Sequence, residues 1–237
     1  METWEWIDYK EAESTNDIAK EKSGKACGKK FVITAEKQTK GRGRLGRKWK
    51  SYKGNLFASL GIEIEISQLG ELIFVVGLSL LEAIRHLSPK ADIKLKWPND
   101  VLLKGKKISG ILLEKGEGDY IIIGIGVNIS KSPQDKDVIY PATNLKDEGI
   151  KTTRIDFLKV YLDAFDKNLF IWHQDSFEEI KKSWLKNVKG LGKEIIISMD
   201  NDTKEGIFEG VDDNGLLLLR GSDGVKKIYA GDVFYKE

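Results

Sequence analysis

Between Lys37 and Lys50 the stretch KQTKGRGRLGRKWK carries seven cationic side chains, no acid and three glycines. Arginine presents a permanently charged planar fork that fits carboxylate and phosphate oxygens, each charge-assisted hydrogen bond contributing about 1.5–3 kcal/mol. Arg42, Arg44 and Arg47 on one loop therefore suit several phosphates. Gly41, Gly43 and Gly46 lose the most backbone freedom on ordering, so the loop is expected to take its order from what it binds. Gly41 to Gly46 also fits the dinucleotide pattern G-x-G-x-x-G. That pattern needs a tight turn between a strand and a helix, and an acid further on for the ribose. Residues 37–40 lengthen the turn, no helical apolar spacing follows Gly46, and Glu63 and Glu65 belong to an alternating strand. The dinucleotide reading is set aside.

Two further stretches could do chemistry. In KWPND, Asn99 and Asp100 are turn formers, and Lys107 returns on the far strand of a hairpin. In GIGVN (124–128), glycines within a strand mark bulges, close packing or close approach of a ligand to the backbone. Each stretch is also ordinary turn or strand chemistry, and taken singly neither choice is forced.

Stepping outward to the positioning elements, residues 4–10 read as a short strand. Ser14, with Asp17 three positions later, forms a variant capping box that opens a helix. Residues 31–36 read as a strand. From Asn55 to Ile66 the chain alternates, with Ile62, Ile64 and Ile66 opposing Glu63 and Glu65, so one face is expected to be wet. Residues 70–87 are apolar at helical spacing and stop before Pro89. A hairpin turns at 104–106, and a strand follows from Tyr120. Residues 153–187 read as one helix, with Phe157, Val160, Tyr161, Ala164 and Leu169 on one side. After Gly190 and Gly192, four short strands separated by NDTK, DDNG and GSDG turns suggest a small β-module resembling SH3 domains.

The chain has 237 residues, 41% apolar and 32% charged, with a net charge of only +2. That composition supports a proper core and argues against a general nucleic-acid binder, whose basic footprint shows in the total. Cys27 is the single cysteine, so no intrachain disulfide forms and a reducing compartment is expected. His86 and His173 lie far apart, against a structural zinc, and no metal ligand is assigned. The N-terminus lacks a signal-peptide core and no apolar run approaches ~20 residues. A cytoplasmic protein with no membrane partner is expected.

Taken in order, the motifs amount to more than each alone. Ser14-Thr15-Asn16, Gln38-x-x-Gly-Arg-Gly-Arg-x-Gly-Arg-x-Trp49, Lys96-Trp-Pro-Asn-Asp100, Lys107-Ile-Ser-Gly-Ile-Leu-Leu-Glu114 and Gly124-x-Gly-x-Asn128 resemble the motif set of the biotin–protein ligases. The likeness is to the short form, since thirteen residues before Ser14 leave no room for the DNA-binding domain some relatives carry, and no DNA partner is expected. It implies an α+β fold: a mixed, mostly antiparallel sheet with helices in a class II synthetase-like catalytic domain (1–188), then the SH3-like module (189–237). YAGDVFYKE resembles the family ending, with Lys236 where some members have arginine.

The resemblance implies two chemical steps. ATP, with Mg²⁺, activates the biotin carboxylate as biotinyl-5′-AMP. A lysine of a biotin carboxyl carrier protein or domain then displaces AMP. Arg42, Arg44 and Lys107 match positions contacting the carboxylate or phosphates, with Arg47 in the same environment; their charge offsets the repulsion of two anions brought together. Ser14, Thr15, Asn16, Gln38, Gly41 and Gly110 match the biotin side, and Trp49 its wall. Gly43, Asn99 and Asn128 match the nucleotide side. Free lysine has a pKa of ~10.4, so at pH 7 only about one in 2,500 is neutral. Asp100 is implied as the group that accepts the proton or orients the amine. A homodimer is expected. A lipoate–protein ligase of the same fold, or a non-enzymatic nucleic-acid- or biotin-binding module, stand as alternatives.

Overall fold

The computed structural model describes residues 4–134, 138–199 and 202–235. Seven strands form the first sheet: β1 (Glu5–Tyr9), β2 (Phe31–Ala35), β3 (Leu56–Glu63), β4 (Ile93–Lys96), β5 (Asp100–Leu103), β6 (Lys106–Lys115) and β7 (Tyr120–Val127). Their order is β1-β2-β3-β7-β6-β5-β4, with β1 parallel to β2 and the other neighbours antiparallel. Four helices flank it: α1 (Thr15–Ser23), α2 (Leu69–Leu87), α3 (Arg154–Asp175) and α4 (Phe177–Leu185). This is the α+β class expected.

β3 departs from the alternating, half-wet strand expected. Leu56 to Ile62 are all buried, because β3 lies between β2 and β7 while α1 and α3 pack against it. The isoleucine alternation belongs to the chain leaving the sheet, where Ile66 is 62% exposed. The helix expected over 153–187 breaks at Ser176, whose φ of 75° no helix continues and whose hydroxyl caps α4 at Glu178 N. Apolar spacing persists across the break and so concealed it.

Ile66–Leu87 is long and apolar enough to cross a membrane by length and composition, which corrects the expectation that no run approaches that length. It packs as the core helix, burying Leu72, Phe74, Val75, Val76, Leu80 and Ile84. Apolar apart from Glu71, Glu82, Arg85 and His86, it sits between the sheet on one side and α3 and α4 on the other.

The second sheet comprises β8 (Glu194–Met199), β9 (Asp202–Val211), β10 (Leu217–Gly221), β11 (Gly224–Ile228) and β12 (Asp232–Tyr235), ordered β11-β10-β9-β8-β12 and antiparallel throughout. The NDTK turn falls partly on Asn201, and Lys236 beyond β12, both outside the described residues. β12 was missed in the sequence: four residues carry too little periodicity, and its partner β8 is distant along the chain. One hydrophobic cluster contains both Trp97 of the first sheet's loop and Val233 of β12. Trp97 Nε1 donates to Gly215 O at 3.3 Å and Tyr140 OH to Val233 O at 3.0 Å. The two sheets thus share a core, so the module is seated against the face that carries the charged loop.

Candidate active site

The glycine–arginine loop folds into a miniature hairpin. Trp49 N donates to Gly41 O at 3.0 Å, and Gly43 N to Arg47 O at 2.7 Å, around a turn at Arg44–Gly46. Leu45 and Gly46 have positive φ (55° and 68°), a conformation for which glycine is suited and leucine is not. The loop expected to depend on its ligand for order therefore carries backbone hydrogen bonds of its own. Together with the N-terminus of α1, the KWPND turn, β6, β7 and β12 it encloses a cavity of about 450 Å³. Ser14, Thr15, Asn16, Gln38, Arg42, Gly43, Arg44, Arg47, Trp49, Asn99, Asp100, Lys107, Gly110 and Asn128 all line it. Gly41 does not line it. A Cβ there would meet Gln38 Nε2 and Trp49 O, each at 3.0 Å, so this glycine lets the loop close on itself.

The three arginines, alike in sequence, have different partners. Arg42 is bidentate to Asp17 (2.9 and 2.7 Å) and its Nη2 also reaches Glu114 (2.9 and 3.2 Å). Its charge is matched by two acids. Arg47 pairs with Asp232 of β12, Nη1 to Oδ1 at 3.0 Å, and that bond holds the Asp232 carboxyl below the usual range against its burial. Arg44 donates instead to a neutral amide oxygen, Asn99 Oδ1, at 3.1 Å. Asn99 is itself fixed by donating to Ile111 O at 2.8 Å. Burial lowers the Arg44 pKa, as expected for a desolvated guanidinium with no acid bonded to it. Of the three, Arg44 is the cation whose charge is left for an anion.

Lys107 of β6 reaches across to Asp100 at the start of β5, Nζ to Oδ1 2.5 Å. A bulge between Val101 and Leu102 lets both face the cavity. The Lys107 ammonium also lies 5.6 Å from the Trp49 ring centroid. Trp49 rests on the glycines of β6 and β7: a Cβ at Gly110 would come within 2.9 Å of the indole, and one at Gly126 within 2.5 Å. A Cβ at Gly124 would come within 2.4 Å of Asn16 Oδ1. The GIGVN glycines therefore make room for cavity side chains. Ser14 occupies the N-cap position of α1, but its hydroxyl does not cap the helix; it accepts from Arg42 Nη1 at 3.0 Å. That departs from the capping box expected, since the arginine takes the hydroxyl. Asn128 is buried and spends its amide on Thr143 O at 3.1 Å, tying the chain after β7 to the loop beyond it.

Two cavity residues were given no role from the sequence. Asp232 and Tyr140 come from far along the chain, Asp232 within the YAGDVFYKE ending and Tyr140 from a loop, and no local pattern points either at the cavity. Lys96, which opens the KWPND motif, does not itself line the cavity; it is 4% exposed, with its ammonium 3.0 Å from the ring centroid of Tyr140, which does. Burial drives its pKa down to about 7. In the unfolded chain a lysine keeps its proton to well above that value, so over the interval between the two the unfolded state binds more protons than the folded one. Stability from this group therefore rises as pH climbs from about 7 into the ordinary lysine range. Lys96→Met is expected to flatten that rise, read from urea unfolding at about pH 7 and about pH 9.5.

The whole chain compares with known proteins as follows. The family model for the biotin/lipoate A/B protein ligases matches residues 10–128, and that for the biotin protein ligase C-terminal domain matches residues 190–236. The chain is similar to the biotin–[acetyl-CoA-carboxylase] ligase of Paracoccus denitrificans, 35% identical over 94% of this chain and 97% of that protein. It is 34% identical to the bifunctional ligase/repressor BirA of Bacillus subtilis, over 93% of this chain and 70% of that one. In structure it resembles the Aquifex aeolicus biotin protein ligase solved in complex with biotin and ATP, with a TM-score of 0.82, 32% identity and 97% of each chain covered. By these matches, which together span most of its length, the chain belongs to the biotin/lipoate A/B protein ligase family.

Proposed function

We propose that this protein is an ATP-dependent biotin–protein ligase that forms biotinyl-5′-AMP in the cavity and passes the biotinyl group to a lysine of a carboxylase's carrier domain. One observation supports it above the rest. A single cavity holds an uncharged polar end, built from Thr15 and Gln38, and a cationic end, where Arg44 lacks an acid partner and Lys107 faces the same space. Biotin has that division: a neutral cyclic urea at one end and a carboxylate at the other. Relatives solved with biotin and ATP, and with biotinyl-5-AMP, share this fold.

In the first step a biotin carboxylate oxygen bonds to the α-phosphorus, the α–β phosphoanhydride bond breaks, and pyrophosphate leaves. Arg44 and Lys107 offset the repulsion between the two approaching anions, fixed in place before the reaction by Asn99 and the β-bulge. Arg42 serves differently: paired with Asp17 and Glu114, it pins the loop to α1 and β6. In the second step the carrier amine bonds to the acyl carbon and AMP leaves with the electron pair. Asp100 accepts the proton the amine sheds. Trp49 and the loop keep water from the mixed anhydride.

Among the described residues no three acids, histidines or cysteines cluster as a metal cage. Mg²⁺, bound together with the nucleotide, would supply further positive charge to the phosphates beside Arg44 and Lys107. The protein works in the cytoplasm, where ATP and carboxylases are, and as a homodimer. Biotin-dependent ATP–pyrophosphate exchange with Mg²⁺, with lipoate run in parallel, tests the reading. Exchange with biotin and not with lipoate is the expected result. Exchange with lipoate alone moves the protein to the sister activity, and none with either leaves a binding module.

A further inference from the structure

Alternate positions of β7 and the residue after it cross the cavity from end to end. A Cβ at Gly124 would meet Asn16, one at Gly126 would meet Trp49, and Asn128 lines the cavity next. Extended chain advances ~3.3 Å per residue, so Asn128 stands ~13 Å along from Gly124. Asn128 N donates to Ile108 O at 2.9 Å, and its side chain donates to Thr143 O. Thr143 N donates in turn to Lys107 O at 3.0 Å. Asn128 therefore belongs to the cationic end. Pro133, a few residues on, lines the cavity as well.

Between Asn128 and Pro133, three consecutive backbone N–H groups converge on one acceptor. Ile129 N, Ser130 N and Lys131 N donate to Asn55 Oδ1 at 3.1, 2.9 and 3.1 Å. The Asn55 amide NH₂ donates back to Lys131 O at 2.7 Å. Asn55 is fully buried, does not line the cavity, and stands just before β3 on the chain that leaves the charged loop. That chain is laced to the same turn a second time. Ser130 Oγ donates to Lys53 O at 2.8 Å, and a Cβ at Gly54 (φ 88°) would come within 2.5 Å of that hydroxyl.

Convergent N–H groups make a concave cradle that an oxygen has to fill, because a buried donor left unpaired is costly. With Asn55 Oδ1 in the cradle the turn is held, and Asn128 and Pro133 on either side keep fixed places. Without it the N–H groups must turn toward water and take the wall with them. The Thr15–Gln38 end is built on α1 and the start of the charged loop, and its hydrogen bonds go elsewhere.

We infer that Asn55, a residue outside the cavity, is a positioning residue for the nucleotide: it holds the 129–131 turn and so sets the wall that Asn128 and Pro133 form at the cationic end. This rests on the proposed ligase reading, in which the phosphates lie at the end with Arg44 and Lys107.

The test separates the two substrates. Asn55→Ala is expected to raise the KM for ATP about tenfold in biotin-dependent pyrophosphate exchange, the scale of one net hydrogen bond. Its kcat should stay within about threefold, and biotin affinity by calorimetric titration within about twofold. Asn55→Asp keeps an oxygen in the cradle and is expected to recover most of the KM. Asn55→Leu keeps the bulk without the oxygen and should behave like Asn55→Ala. Hydrogen exchange of the Ile129, Ser130 and Lys131 amides should quicken in the Ala and Leu variants and not in Asp. Ser130→Ala removes the lace to Lys53 at a partly exposed position and should raise the KM for ATP about threefold, which keeps the test open if Asn55→Ala folds poorly. Equal weakening of biotin and ATP overturns the inference, since a merely structural role moves both together. So does a wild-type KM for ATP in the Ala and Leu variants, or an Asp variant no better than Ala. A wild-type protein without biotin-dependent exchange overturns the ligase reading itself, which is a separate outcome.

Discussion

Lys107→Ala is expected to lower biotin-dependent ATP–pyrophosphate exchange by about 10²–10³-fold, the scale for removing one preorganised charge from a forming transition state. The loss has two parts. An ammonium disappears from the place where carboxylate and phosphate must approach each other. Asp100, 2.5 Å away and 9% exposed, is left without its cation beside the approaching anions. Lys107→Gln retains bulk and polarity without charge and should fall nearly as far, which separates electrostatics from packing on Trp49. The fold should survive, because the lysine is held by a single ion pair at a cavity wall, and thermal unfolding checks this. Exchange within a few-fold of wild type in both variants would remove Lys107 from the adenylation step.

Asp100→Asn is expected to divide the two steps. Transfer from preformed biotinyl-5′-AMP to a carrier lysine should fall about 10²–10⁴-fold, the usual contribution of a positioned general base. Pyrophosphate exchange should hold, since the asparagine keeps the shape at the head of β5 and frees the Lys107 charge for the incoming anions. The residual transfer rate of the variant should climb steeply with pH, because the amine then loses its proton to solvent alone. Single-turnover transfer over about pH 6.5–9 measures both effects. A variant that transfers at the wild-type rate would leave Asp100 with no role beyond holding Lys107.

Both predictions concern residues that stand out in the sequence, whereas their partners do not. Lys107 and Asp100 lie in adjacent motifs, and the hairpin joining them is legible from KWPND and the turn at Lys104–Lys106. Their opposition depends on a bulge between Val101 and Leu102, and nothing in VLLKGKK announces a bulge. Likewise the alternation through Ile62, Ile64 and Ile66 suggested a half-exposed strand, because a sequence pattern does not reveal that helices cover both faces. The Ser176 break in the long helix was hidden by apolar residues that continue in phase across it.

By itself the sequence determined which chemistry is present: a basic glycine loop, a lysine and aspartate on one hairpin, strand glycines to receive side chains, and the ordered motifs that mark the family. Local patterning was enough for this, since such residues are short-range in sequence and distinctive in type. It could not rank Arg42, Arg44 and Arg47, which are alike to any local reading. Only the tertiary structure did so, by bringing Asp17 and Glu114 to Arg42, Asp232 to Arg47 from 185 residues away, and a neutral Asn99 to Arg44. A charge or a hydrogen bond is spent or left free according to its neighbours in space, and those neighbours come from α1, β6 and β12, which only folding brings together.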